Sequence, residues 1–201
     1  MWTGHFILLT VIGHLSADVV LQEAYYAAHI VAVRVEALTY LPAVAWGVAS
    51  ATMIGQSLGA GDRDRARRVG HEAVLQCGIL SVVIALLFFF GAEGIYKLMH
   101  TDPKVHEVGV GPFRVVALMQ PLLVLSIVYV SALRGAGDTR YPLFITFVGS
   151  ILLRIPLGYF FGIVLEGGLL GAWIGMFADM FWRAGAASIR YARGKWVDIR
   201  V

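Results

Sequence analysis

The chain has 201 residues, 59% of them hydrophobic and only 14% Asp, Glu, Lys or Arg, well below the charged share of an ordinary soluble domain. That balance excludes the soluble globular class and points to an integral membrane protein. The net charge of +3 does not indicate nucleic acid, because the basic residues gather in short connections between apolar runs, and one cysteine, Cys77, builds neither a disulfide framework nor a thiolate metal site.

Six apolar runs follow one another. The first, about 3–20, is short for a full span and carries His5, His14 and Asp18. Met1 leads into it without a basic segment, so a cleavable signal peptide is not expected. The second, about 25–58, exceeds the roughly 20 residues a bilayer needs; it holds Arg34, Glu36, Pro42 and Gly47, residues costly against lipid and at home in a transporter bundle. Asp62 reads as the N-cap of the third run, 63–91, and a polar connection is expected from Glu93 to Glu107. The fourth, 108–133, contains Pro112 and Pro121; the fifth, 141–165, starts with Pro142 in a first turn and contains Arg154 and Pro156. The sixth covers 168–191.

Basic residues alternate in number between connections. Arg63, Arg65, Arg67, Arg68, Arg134, Arg140, Arg190, Arg193, Lys195 and Arg200 follow the even-numbered runs, and only Lys97 and Lys104 lie in the others. This asymmetry predicts six spans with both termini cytoplasmic in the inner membrane. The tetrapeptide Gly-Ala-Gly-Asp occurs twice, at 59–62 and 135–138, each time between two runs. Its expected role is mechanical: a glycine in the left-handed region ends one helix and the aspartate caps the next.

Four stretches together resemble a known family: AAHIVAVRVEALTYLPAVAWGVASATMIGQSLGAGD, LRGAGDTRYPLFITFVGSILLRIPLGYFF, GAWIGMFADMFWRA and RYARGKW. They are similar to the C-terminal six-helix lobe of the multidrug and toxic compound extrusion (MATE) family, in particular its bacterial members of the DNA-damage-inducible type. The resemblance implies an all-α integral membrane six-helix bundle, residues 1–201 forming one lobe. It also implies antiport of amphipathic or cationic drugs coupled to a proton or sodium ion. It implies no cofactor and no enzyme activity. A usual member has about twelve helices, so activity is expected to need a second lobe, as a homodimer or a separate chain. A functional half-transporter and a fragment of one both fit the sequence. The coupling aspartate of the resembled subgroup belongs to the missing lobe. The sodium-site glutamate and aspartate of the other subgroup have no counterparts in the first and fourth runs. The alternatives are a lipid-linked precursor flippase, whose cleft is expected to be more basic, and a non-transporting membrane scaffold or assembly subunit.

Glu36 is the first candidate for the substrate or ion path, as a carboxyl inside a span that either exchanges a proton, holds a cation or pairs with an arginine. Tyr40 shares its face. Asp179 and Arg183 form an i,i+4 pair, and Arg154 needs a carboxylate, with Asp179 or Glu36 in reach. Trp46 and Trp173 lie near mid-span, where an indole either stacks on a cationic substrate or packs. Gly167, Gly171 and Gly175 form a smooth stripe for close helix packing. The histidines lack metal-site spacing: His71-Glu72 has no second histidine, and His100 and His106 lie without other ligands. Trp2, Tyr25, Tyr26, Tyr96, Tyr191 and Trp196 fall near run ends, as interfacial anchors do.

Overall fold

A computed structural model describes residues 9–198, and every regular element among them is helical. Residues 9–12 are helical; the earlier part of the first apolar run, with Trp2 and His5, lies outside the described residues, as does Arg200. Five long helices follow: α1 (Val19–Gly59), α2 (Arg63–Met99), α3 (Pro103–Gly135), α4 (Arg140–Val164) and α5 (Gly168–Ala192), then a 3₁₀ turn, Lys195–Asp198. The first four are long and apolar enough to cross a membrane. α3 lies at the centre, packed on α1, α2 and α5, while α4 leans mainly on α5.

Helix ends correct three sequence expectations. Asp18 does not sit in the first run; it caps α1, accepting from the Val20 N–H at 2.9 Å. The turn before it lies at 13–18, held by Gln22, which donates to the Ile12 carbonyl and accepts from the Ser16 N–H. The polar connection expected from Glu93 to Glu107 is mostly helix. α2 runs on to Met99, and Asp102 caps α3 by accepting from the Lys104 N–H at 2.9 Å. The helices therefore outreach the membrane: α1 is about 60 Å long at 1.5 Å per residue, against a hydrocarbon thickness of about 30 Å. Third, the aromatics near the ends are not all anchors facing the interface. Tyr96, Tyr191 and Trp196 are buried, with Tyr96 donating to the Ala28 carbonyl and Tyr191 to the Ala66 carbonyl, both at 2.9 Å.

The two Gly-Ala-Gly-Asp turns have one geometry. Gly61 and Gly137 take φ of +78° and +84°. The Asp62 N–H donates to the Ser57 carbonyl at 2.9 Å and the Asp138 N–H to the Leu133 carbonyl at 3.0 Å, the closing bond of a Schellman motif. Asp62 caps α2 through the Arg65 N–H at 2.9 Å. Asp138 reaches the Tyr141 N–H only at 3.4 Å, and instead binds Arg190 Nε at 2.8 Å. That pair brings the ends of α3 and α5 and the start of α4 together at the basic end of the bundle.

α4 is not a uniform helix. Residues Val148–Leu153 and Phe160–Val164 are π-helical and enclose an α-helical Arg154–Tyr159. Pro156 explains the first widening, because a proline ring collides with the carbonyl four residues back and removes a donor.

Candidate functional site

The widened turn of α4 sets the site. In a π segment the bond runs five residues back, and the Arg154 N–H donates to the Gly149 carbonyl. This stacks Arg154 over Gly149, on the side that meets α5. There the Asp179 carboxylate lies against the Gly149 Cα, in space that a β-carbon would fill. Arg154 approaches Asp179 Oδ2 at 2.5 Å. Arg183, one turn along α5, donates to the same oxygen at 2.8 Å, with Nε 2.6 Å from Oδ1. All three are buried: Asp179 is 0%, Arg183 4% and Arg154 8% exposed.

Two guanidinium groups and one carboxylate leave this trio with one positive charge in excess. Glu36, on α1, supplies the balance. Its polar neighbours are Arg154 and the side chain of Gln120 from α3, and its Oε1 is buried with no hydrogen-bond partner. Of the two partners open to Arg154, Asp179 makes the direct contact and Glu36 acts at longer range. The four groups join α1, α4 and α5 in one buried cluster, with Gln120 of α3 at its edge. Thr39 is buried one turn along from Glu36 on α1.

The other candidates lie apart from this cluster. Tyr40 stands at the exposed side of α1. Trp46 ties α1 to α2 by donating to Gln76 Oε1 at 3.3 Å. Trp173 is buried and donates to His29 Nδ1 at 3.2 Å. The glycine stripe at 167, 171 and 175 faces α4 backbone: Gly167, just before α5, and Gly171 meet the Phe161 carbonyl, and Gly175 meets the Arg154 carbonyl and Gly158. Sequence reading passed over Gln120, Gln76, His29 and the Asp138–Arg190 bridge. Gln120 stood in view as the lone amide of an apolar run, directly before Pro121. A second aromatic group also went unread: His71 Nδ1 is 2.9 Å from the Tyr129 hydroxyl, beside Tyr191 stacked on Trp196. Among the described residues no group of three His, Cys, Asp or Glu side chains is placed to hold a metal ion.

The family model MatE matches residues 1–160. The chain belongs to the MatE family. Relatives in this family include a probable multidrug resistance protein NorM of Thermotoga maritima, 30% identical over 85% of this chain and 37% of that protein. They also include a multidrug resistance protein MdtK of Yersinia enterocolitica, 29% identical over 86% of this chain and 38% of that protein. The chain thus spans less than two fifths of the length of these relatives. MATE structures share its fold. One is the eukaryotic MATE transporter AtDTX14, with a TM-score of 0.86 at 17% identity over 97% of this chain and 42% of that one. Another is a MATE protein in complex with MaD3S, with a TM-score of 0.83 at 22% identity over 98% and 44%. Family membership and the long apolar helices make this an integral membrane protein.

Proposed function

We propose that the chain is one six-helix lobe of a MATE-type exporter and that, with a second lobe, it moves amphipathic or cationic drugs out of the cell by antiport with a proton or sodium ion. The multidrug resistance names of its relatives support the substrate class. On this reading both termini are cytoplasmic and the membrane is the inner one. The run of cations at one end of the bundle supports that orientation. The subgroup proposed is the DNA-damage-inducible type.

The observation that carries a transport role is the Glu36 carboxylate. An intramembrane carboxyl costs a few kcal/mol unless a partner or a cavity compensates it. Here it faces one already engaged arginine, and an oxygen remains without a partner. Such a group takes up a proton or a cation at modest cost, and doing so removes the countercharge that keeps Arg154, Asp179 and Arg183 neutral as a set. Loading Glu36 therefore changes the forces between α1 and the α4–α5 pair. That is the coupling an antiporter requires.

The test is drug efflux from proteoliposomes holding the chain with its second lobe, under an imposed proton or sodium gradient. Glu36→Gln is expected to remove gradient-driven efflux while the melting temperature stays near that of the parent. Unchanged gradient-driven efflux in Glu36→Gln overturns the role of Glu36. A non-transporting scaffold has the Asp179 ion trio in its favour, since those contacts alone suffice to hold helices. It predicts no efflux from either protein.

A further inference from the structure

We infer that the junction of α4 and α5 at the basic end binds the phosphate-bearing headgroup of an anionic phospholipid. The junction is built. Arg190 Nε holds Asp138 at 2.8 Å, its guanidinium lies 5.1 Å from the centre of the Tyr141 ring, and the Tyr141 hydroxyl donates to the Ala186 carbonyl at 3.4 Å. The first turn of α4 is thereby fixed to the last turns of α5, and the charge of Asp138 is consumed.

Arg140 and Arg193 flank this bridge in sequence and are left over. Both are exposed, and neither side chain makes a hydrogen bond or ion pair among the described residues. One turn deeper than Arg140, on its own face of α4, Leu143 and Phe144 are 69% and 57% exposed. One turn deeper than Arg193, Ile189 is 52% exposed. Each uncompensated cation therefore stands one turn above exposed apolar side chains of its own helix, and the Asp138–Arg190 and Tyr141–Ala186 contacts hold the two helix ends side by side. This matches the polarity profile of one class of molecule, an anionic headgroup continuing into acyl chains. A soluble anion uses the arginines and leaves the apolar side chains bare. A zwitterionic headgroup brings its own ammonium against the same two arginines. The inference rests on the chain being a membrane protein and is independent of whether it transports.

The test places the full chain in nanodiscs of equal phosphatidylglycerol and phosphatidylcholine and counts the lipids retained by native mass spectrometry. Phosphatidylglycerol is expected to be retained in excess. That preference is expected to fall about fivefold for each arginine removed in Arg140→Gln and Arg193→Gln, on the scale of one cation near a charged lipid surface. The Arg140→Lys/Arg193→Lys pair is expected to keep most of it. Equal retention of the two lipids by the parent chain overturns the inference, as does an unchanged preference in the Gln pair. So does an equal loss in Arg65→Gln/Arg68→Gln, which would mean charge attraction without a site. Adducts of soluble glycerol phosphate as abundant as those of phosphatidylglycerol would assign the arginines to free phosphate and overturn the lipid assignment.

Discussion

Asp179 anchors the contact between α4 and α5. It is fully buried, touches two guanidinium groups and rests on the Cα of Gly149. Removing one partner from a buried ionic group costs about 3–5 kcal/mol, because the remaining charges stay buried without compensation. Against a net stability of about 5–15 kcal/mol, that loss is large. Asp179→Asn is therefore expected to lower the melting temperature sharply in detergent. Asp179→Asn with Arg183→Met is expected to recover part of it, because only Arg154 is then uncompensated and Glu36 lies nearby. A double variant no more stable than the single one would contradict this account. Glu36 behaves differently: its loss removes a countercharge acting on Arg154 at longer range, and a glutamine in its place still hydrogen-bonds Gln120. Function and stability are thus expected to separate between these two carboxylates.

Helix α4 meets α5 through backbone as much as side chain. Gly171 and Gly175 are present because the carbonyls of Phe161 and Arg154 occupy the space a side chain would need. Overpacking a tight contact costs about 1–3 kcal/mol, and here the obstacle is main chain that has little freedom to yield. Gly171→Leu is expected to destabilise the protein by at least that much in thermal unfolding. Gly185→Leu, on the same helix where nothing lies within 4 Å of the added carbon, is expected to change stability by less than about 0.5 kcal/mol. Similar losses at both positions would show that close approach of the two backbones does not govern the effect, since helix propensity alone favours leucine over glycine at each.

At the scale of the whole molecule, apolar side chains cover the outer faces of α2 and α4, Leu75, Ile79, Leu87 and Phe90 on one and Leu143, Phe147 and Leu152 on the other. These faces suit lipid or a second lobe. The mass of the protein in nanodiscs, measured by light scattering and corrected for lipid, is expected to correspond to two lobes. A lone monomer under all conditions would remove the proposal that two copies form a working exporter. Much of this organisation was legible in the sequence, because hydropathy and the placement of arginines report membrane class and end polarity directly. The left-handed glycines of the two Gly-Ala-Gly-Asp turns and the Asp62 cap were legible because they depend on four or five adjacent residues, whereas the cap expected of Asp138 is only a 3.4 Å approach to the Tyr141 N–H, its carboxylate being drawn to Arg190. Helix length was not legible from apolar runs: α2 continues as helix past the end of its apolar run to Met99, across the stretch expected as a polar connection. The Asp138–Arg190 bridge and the approach of Gln120 to Glu36 depend on tertiary pairing across many residues, to which periodicity is blind. The π segments were hidden too, because Pro156 announces a disturbance without saying that the backbone widens to absorb it.

That widening has a mechanical consequence for α4. Its two loosened stretches bracket six residues in regular helix, and Arg154, which opens those six, is pinned to Asp179. Each widened stretch is itself fitted to α5, Gly149 against the Asp179 carboxylate and the Phe161 carbonyl against Gly171 and, just before α5, Gly167. The irregular turns of α4 are therefore part of the surface that holds the two helices together, on both sides of the ion trio.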